Sequence, residues 1–443
     1  MIHNKKRLIA KVAPLTTAIA AAMLTTQAAA VDFHGYARSG LSTNLSNGGE
    51  QTCLGGKLSG RLGDECDTYA ELALGQELYN KDDQSFRIDS MVSLNAPNQG
   101  NDYQAFTGTN TVTGVDFNNN TTTTASSSPY SGGELALRQL YVSGKNVVAL
   151  FPGATLWAGK RYYQRHNIDQ IDFYYLNDSG YGAGVENITA GVGKLSVAWM
   201  NNDTTQKDAF NNNNIVQNNK LDVRYAFPVS SDSTLDLAAI YGMADRTQLQ
   251  KTDGLGNKNG FFLSSELSTN IMGGFNKFVL QYGQDSMGDA AYYTSGGTSS
   301  NYLSAGSLKH SWRVIDHGVI ALSGPLQMGY SAMYEKGKAN GTATKEDPAT
   351  TSVVVRPVYS WTNVSSTALE LGYSSVENTG STSSADLEKV TLAQEWQAGP
   401  GFWARPVIRA YVTSFFGNVA KDAQNKQGVD GDIQVGVQME AWW

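Results

Sequence analysis

The feature that most restricts this chain is an alternation of period two that recurs from one end to the other. "KLDVRYAF" sets Leu221, Val223, Tyr225 and Phe227 on one side, and "TLDLAAIYGMA" does the same with Leu235, Leu237, Ala239, Tyr241 and Met243. "LQMGYSAMY" repeats it with Leu326, Met328, Tyr330, Ala332 and Tyr334, and "LELGYSSV" with Leu369, Leu371 and Tyr373. Successive side chains of a β-strand point to opposite faces, so each segment reads as a strand with one apolar and one polar side. The tail "DIQVGVQMEAWW" has Ile433, Val435, Val437, Met439, Ala441 and Trp443 on one face. Asp432, Gln434, Gly436, Gln438, Glu440 and Trp442 lie on the other. A soluble sandwich would bury the apolar face and leave Trp442 in water.

The connections are of two kinds. Short Gly/Pro turns such as "SGPL" (Ser323 to Leu326) contrast with long polar tracts at 101–133, 201–219 and around 293–302. Short turns on one side and long loops on the other are the pattern of an outer-membrane barrel. No apolar run reaches the roughly 18 residues of a membrane helix, but a barrel's lipid-facing residues alternate with lumen-facing ones and form no such run. The expected fold is all-β, a transmembrane antiparallel β-barrel. A secreted adhesin or sandwich shares the alternation, yet no linker or repeat period divides the chain.

Residues 1–30 read as a cleaved signal peptide, with Lys5, Lys6, Arg7 and Lys11 ahead of an apolar run from Val12 to Leu24 and small residues Ala28 and Ala30 before Val31. Residues 31–443 are then one barrel domain. Taking those four cations from 33 basic residues, against 40 acidic ones, leaves the mature chain at a formal charge of −11, which argues against nucleic acid as a partner. The two cysteines, Cys53 and Cys66, lie in a Gly-rich segment of an exported chain. They read as one local disulfide, with two free thiols as the alternative.

In a water-filled barrel the lumen face is polar, so aromatics among charges on that face are informative. Trp442 shares its face with Gln438 and Glu440. Tyr36 lies with Asp32, His34 and Arg38; Tyr69 with Glu71 and Glu77; Phe275 with Lys277, Gln281 and Asp285; and Trp403, on a strand through "FWARPVIRAYV", with Arg405 and Arg409. A ring on such a face can be an interface-belt or packing residue. A series of them, each beside a charge, suits carbohydrate: the C–H face of a pyranose stacks on the ring while neighbouring charges bond its hydroxyls.

At these residues the chain resembles the maltoporins of the Gram-negative outer membrane. The similarity runs through "VDFHGYARSG", "RLGDECDTYAEL", "GKNVVALFPGATLWAGKRYYQRHNIDQIDFYYLNDSGYGAGVENI", "GFNKFVLQY", "IDHGVI", "TLAQEWQAG" and "MEAWW", and lapses in the long polar loops. The resemblance implies a homotrimer of barrels of about eighteen strands, each with an inward-folded constriction loop. It implies an aromatic slide of Tyr36, Tyr69, Phe275, Trp403 and Trp442, with Tyr103 of "QGNDYQAF" at the position reaching a neighbouring subunit. It also implies a polar track of Arg38, Arg61, Glu71, Arg138, Arg165 and Asp172, and Tyr174 at the constriction. Asn167 and Asp169 stand where the family's constriction carries Asp and His. The retained Arg38, Arg138 and Tyr174 lean towards maltose and maltodextrins over sucrose. The implied partners are those sugars and outer-membrane lipid, with the exposed loops the part that receptor use by phage would engage.

Other classes have weaker support. No G-x-S-x-G or H-E-x-x-H motif occurs, and five His in the chain leave no sharp enzymatic candidate. A glycosidase would also pair carboxylates with stacking rings, and a general diffusion porin would lack the aromatic series. No cofactor or metal is expected: the acidic "GVDGD" (Gly428 to Asp432) reads as a solvated turn before a Ca²⁺ loop.

Overall fold

The computed structural model describes residues 31–46, 49, 51–54, 57–97, 112–115, 121–124, 133–207, 213–245, 247–252, 259–292, 308–339, 347–377, 384–427 and 433–443. The strands in chain order are β1 (Asp32–Asn44), β2 (Asp67–Lys81), β3 (Gln84–Pro97), β4 (Val112–Val115), β5 (Thr121–Thr124), β6 (Glu134–Lys145) and β7 (Thr155–Arg161). Then follow β8 (His166–Ile168), β9 (Phe173–Leu176), β10 (Gly180–Ala190), β11 (Gly193–Lys207), β12 (Asn213–Pro228), β13 (Ser233–Asp245), β14 (Gly260–Ile271) and β15 (Gly274–Gln284). The last are β16 (Leu308–Ser323), β17 (Leu326–Ala339), β18 (Ala349–Ser360), β19 (Ser365–Glu377), β20 (Ala385–Gln397), β21 (Val407–Phe416) and β22 (Ile433–Trp442).

Eighteen of these form one antiparallel sheet in which every strand pairs with the next; β4–β5 and β8–β9 are separate hairpins. The sheet closes where β1 pairs with β22, Tyr36 opposite Trp442 and Asn44 opposite Gln434. Closure leaves no sheet edge, the condition for strands to cross a membrane with every backbone group bonded. At the chain end Trp443 exchanges backbone bonds of 3.2 Å with Gly35. Its ring lies 5.5 Å from Phe33 on the outer face.

The burial pattern inverts that of a soluble protein. Leu74, Leu237, Leu263, Leu280, Leu392 and Val437 on the outside are exposed, while Lys220, Asp222, Glu266, Arg313, Glu335, Glu370, Lys389 and Glu440 are buried inside. That distribution fits a wall facing lipid. One rim carries tight turns at 82–83, 191–192, 272–273 and 324–325, and from the other leave the long connections that follow β1, β3 and β15.

Two of the long-rim connections fold into the lumen. Segment 45–66 is closed by the expected Cys53–Cys66 disulfide, Cα atoms 6.1 Å apart. It lies against the wall so closely that a Cβ on Gly63 (φ +73°) would meet Thr413 Oγ1 at 2.0 Å, and one on Gly372 would meet the Ser59 carbonyl at 1.8 Å. Only glycine permits that approach. Segment 162–179 contains the β8–β9 hairpin. It buries Ile168, Ile171, Phe173, Tyr175 and Leu176 against Ala238, Ile240, Phe262, Val279, Ile315, Met333 and Val354. The lumen wall is therefore not uniformly polar, as alternation had suggested: it carries an apolar patch where the inward loop docks.

Helix Asn418–Gln427 and the short helix Gln248–Thr252 lie in connections at the long rim, where only polar loop was expected. Trp403 is also placed differently from the expectation. It lies in the connection 398–406, and the strand begins only at Val407. Gly399 and Gly401 adopt φ of +116° and +101°, which turns the chain before Pro406 and keeps residues 398–406 out of the ladder.

Candidate functional site

The inward loop and the strands β1, β2, β3, β6 and β7 enclose a cavity of about 800 Å³. Twelve of the residues singled out in the sequence line it: Tyr36, Arg38, Arg61, Tyr69, Glu71, Arg138, Arg165, Asn167, Asp169, Asp172, Tyr174 and Trp442. Local geometry explains the convergence. Tyr36 and Arg38 alternate inwards on β1, Tyr69 and Glu71 on β2, and Trp442 on β22 opposite Tyr36. Arg61 arrives from the disulfide-closed segment. Residues 165–174 arrive from the inward loop, where Asp172 in the left-handed region (φ 45°) turns the chain into β9.

The rings form a short series. Tyr36 and Tyr69 lie 6.2 Å apart. The Arg38 guanidinium lies 5.1 Å from the Tyr69 ring centre and that of Arg405 lies 4.5 Å from Trp442. Phe275 and Trp403 are outside this cavity. They stack on each other at 6.4 Å and 23°, beside the tight turn at 272–273 and the connection 398–406 at the short-turn rim. Arg405, two residues after Trp403, links the two groups. Tyr103 lies outside the described residues.

Charge surrounds the rings in paired form. Arg38 donates to both oxygens of Asp67 at 2.9 and 2.8 Å and reaches Asp172 at 3.5 Å. Arg61 meets Glu65 at 2.8 Å and Asp169 at 3.3 Å. It also donates to the Tyr36 hydroxyl at 2.8 Å. Glu440 gathers Arg61, Arg405 and Arg409 and accepts from Tyr36 at 3.0 Å. Such charge-assisted bonds fix side chains firmly in a low-dielectric setting.

The inward loop brings two more constraints. Burial pushes the Asp172 carboxyl up, but Arg61, Lys57 and Arg38 outweigh it and hold the group below its ordinary range. Arg165 lies between two rings, its guanidinium carbon 3.4 Å from the centre of Tyr162 and 4.2 Å from that of Tyr174. Arg138 donates to Ser93 at 2.8 Å, and Glu71 accepts from Tyr69 at 2.6 Å and Tyr162 at 2.9 Å. Asn167 is exposed to the cavity opposite Tyr174 in the β8–β9 pairing.

Sequence reasoning missed Lys57, Asp67 and Tyr162, which also line the cavity. A signal existed for Tyr162 alone, in the aromatic pair of "KRYYQR" beside a basic residue. Lys57 and Asp67 gain their roles only through the fold of segment 45–66. The arrangement can hold a ring-shaped polar solute: flat apolar faces on one side, fixed donors and acceptors on the other.

The LamB porin family model matches residues 31–443. A maltoporin of Hahella chejuensis is 40% identical over 440 residues, covering 99% of each chain. Among solved structures, OccK8 (OprE) of Pseudomonas aeruginosa has a TM-score of 0.46 at 10% identity, covering 93% of this chain and 98% of its own. OpdK of the same organism, solved with vanillate, has 0.46 at 11%, covering 93% and 98%. The trimer form of OmpT of Vibrio cholerae has 0.40 at 10%, covering 94% and 99%. A family match running from the first barrel strand to the last residue, with two positions in five shared along a full-length relative, leaves one conclusion: the chain belongs to the LamB porin family.

Proposed function

We propose that this outer-membrane porin is a sugar-specific channel through which maltose and maltodextrins diffuse down their gradient. The observation that carries the reading is the meeting of Tyr36, Tyr69 and Trp442 with Arg38, Arg61, Glu71, Arg138 and Arg165 in one cavity at the inward loop. Pyranose rings stack on the aromatics while the fixed charges exchange bonds with their hydroxyls. Sugar enters from the long-loop rim and passes Arg165, Asp172 and Tyr174. It continues over Trp442 to Trp403 and Phe275 at the short-turn rim. Several weak sites in series let a solute enter and leave, which conduction requires. The relative's name, maltoporin, supports the choice of sugar. The same resemblance brings three copies together as a trimer, to be checked by the mass of the detergent-extracted assembly.

Single-channel recording with maltose, maltotriose and sucrose tests the reading. Maltotriose is expected to block the ion current in a concentration-dependent way and more strongly than sucrose. A current indifferent to all three sugars identifies a general diffusion pore, and hydrolysis of maltotriose by the purified protein identifies a glycosidase; either result overturns the proposal.

A further inference from the structure

On the outer face, towards the long-loop rim, strands β14 to β17 carry a band of rings. Phe261 and Tyr282 lie 6.0 Å apart, Tyr282 stands opposite Trp312, and Trp312 lies 5.3 Å from Tyr334. Trp312 and Tyr334 are each 38% exposed. Aromatic side chains on lipid-facing strands collect at headgroup level, so the band marks the height of the membrane interface.

Immediately above it the wall turns basic. Lys336 stands opposite Trp312 and Lys338 opposite His310, whose ring stacks on Tyr282 at 6.0 Å and 22°. Both lysines face outwards, because Glu335, one position before Lys336, is buried inside against Arg313 at 2.7 Å. Lys309 is exposed at the bulge beside His310. Lys338 pairs with Asp347 at 2.9 Å, whose carboxyl also feels the charge of Lys336, while Lys309 forms no ion pair among the described residues. The sector across β19 and β20 has the opposite sign at the same rim, with Glu377, Asp386 and Glu388 on its outer face. Among the described residues the two sectors thus differ in sign.

We propose that this sector docks the phosphorylated headgroup of a lipid of the outer leaflet. Lys309, Lys336 and Lys338 reach its phosphates, and its chains lie over Tyr282, Trp312 and Tyr334. Charge complementarity at a fixed height favours this docking. A phosphate monoester carries close to two negative charges at neutral pH, and lysine stems lie along apolar surface while their ammonium groups extend to the interface. Each lysine near an anionic lipid surface contributes about a fivefold preference. The long-loop rim faces outwards in such barrels, so the lipid belongs to the outer leaflet. The inference does not depend on which solute the pore conducts.

The test is native mass spectrometry of the whole detergent-extracted barrel with bisphosphorylated lipid A and with its dephosphorylated form. The phosphorylated lipid is expected to be retained at least about 25-fold better, and Lys309→Gln combined with Lys336→Gln to remove about 25-fold of that retention. The variant's single-channel conductance should stay at the wild-type value, which certifies the barrel. Equal retention of the two lipid forms, or undiminished retention by the double variant, overturns the proposal. Displacement of the lipid by inorganic phosphate at matched ionic strength also overturns it, since the site would then be one for free anions.

Discussion

Tyr36 and Trp442 face each other across the seam where the first strand meets the last, so the act of closing the barrel also joins the two ends of the chain into one aromatic surface. Tyr36 is held by its hydroxyl, which accepts from Arg61 at 2.8 Å and donates to Glu440 at 3.0 Å. Trp442 contributes its ring face. Replacing Trp442 by Ala should remove about 1 kcal/mol of stacking, roughly a fivefold weaker maltotriose block. The open-pore ion current should change little, because the polar wall remains. Trp403→Ala should act similarly at the short-turn rim. Titration of current noise with maltotriose measures both, and unchanged affinity in both variants would end the slide reading.

Glu440 is 1% exposed and takes the charges of Arg61, Arg405 and Arg409 together. Its neutral isostere keeps one acceptor oxygen but removes the negative charge that the three guanidiniums share. Removing one partner of a buried charge cluster costs about 3–5 kcal/mol, and Glu440→Gln should lower barrel stability on that scale. Heat-modified mobility in detergent gels reads it directly. A variant as heat-resistant as the parent would show that water already screens the cluster.

The strands and their faces were open to sequence reasoning because period two is a local property, visible in eight residues at a time. Tyr36, Tyr69, Phe275 and Trp442 therefore stand out on the polar face from the sequence alone. Alternation draws a strand through Trp403, yet "AGPGFWARP" contains Gly399, Gly401 and Pro406, punctuation that signals the turn found there. The lumen's apolar patch was harder. Ile240, Phe262 and Ile315 look like breaks in alternation until the inward loop supplies Ile171 and Phe173 to cover them. Lys57 meets Asp172 across 115 positions, a contact that no local pattern encodes.

Asp64, in the disulfide-closed segment, accepts from the Leu54 amide at 3.2 Å and has its other oxygen buried without a partner among the described residues. Burial pushes its carboxyl up to about 6, above an unfolded value of about 4. The folded segment therefore binds a proton that the released segment gives up between those values. Its hold on the wall is greatest near pH 4 and weakens, by on the order of 2 kcal/mol, as pH rises through about 6. Hydrogen exchange of residues 51–66, corrected for intrinsic rate, should be slower near pH 5 than near pH 8. Asp64→Asn should flatten that difference; a parent with no pH dependence would contradict the buried, half-satisfied carboxyl.

Tyr174 is one wall of the Tyr162–Arg165–Tyr174 sandwich that lines the cavity. Cation–π contacts of this kind contribute about 0.5–2 kcal/mol, enough to hold the Arg165 guanidinium between the two rings. Tyr174→Ala removes a ring from the cavity wall and frees one face of Arg165. The ion current should rise, on the order of twofold if this ring sets the narrowest cross-section. Tyr174→Phe keeps the ring and the sandwich, so its current should match the parent. Arg165→Lys keeps the charge but loses the stacked plane, and should weaken maltotriose block without the rise in current. If Tyr174→Ala conducts like the parent, the narrowing lies elsewhere along the inward loop.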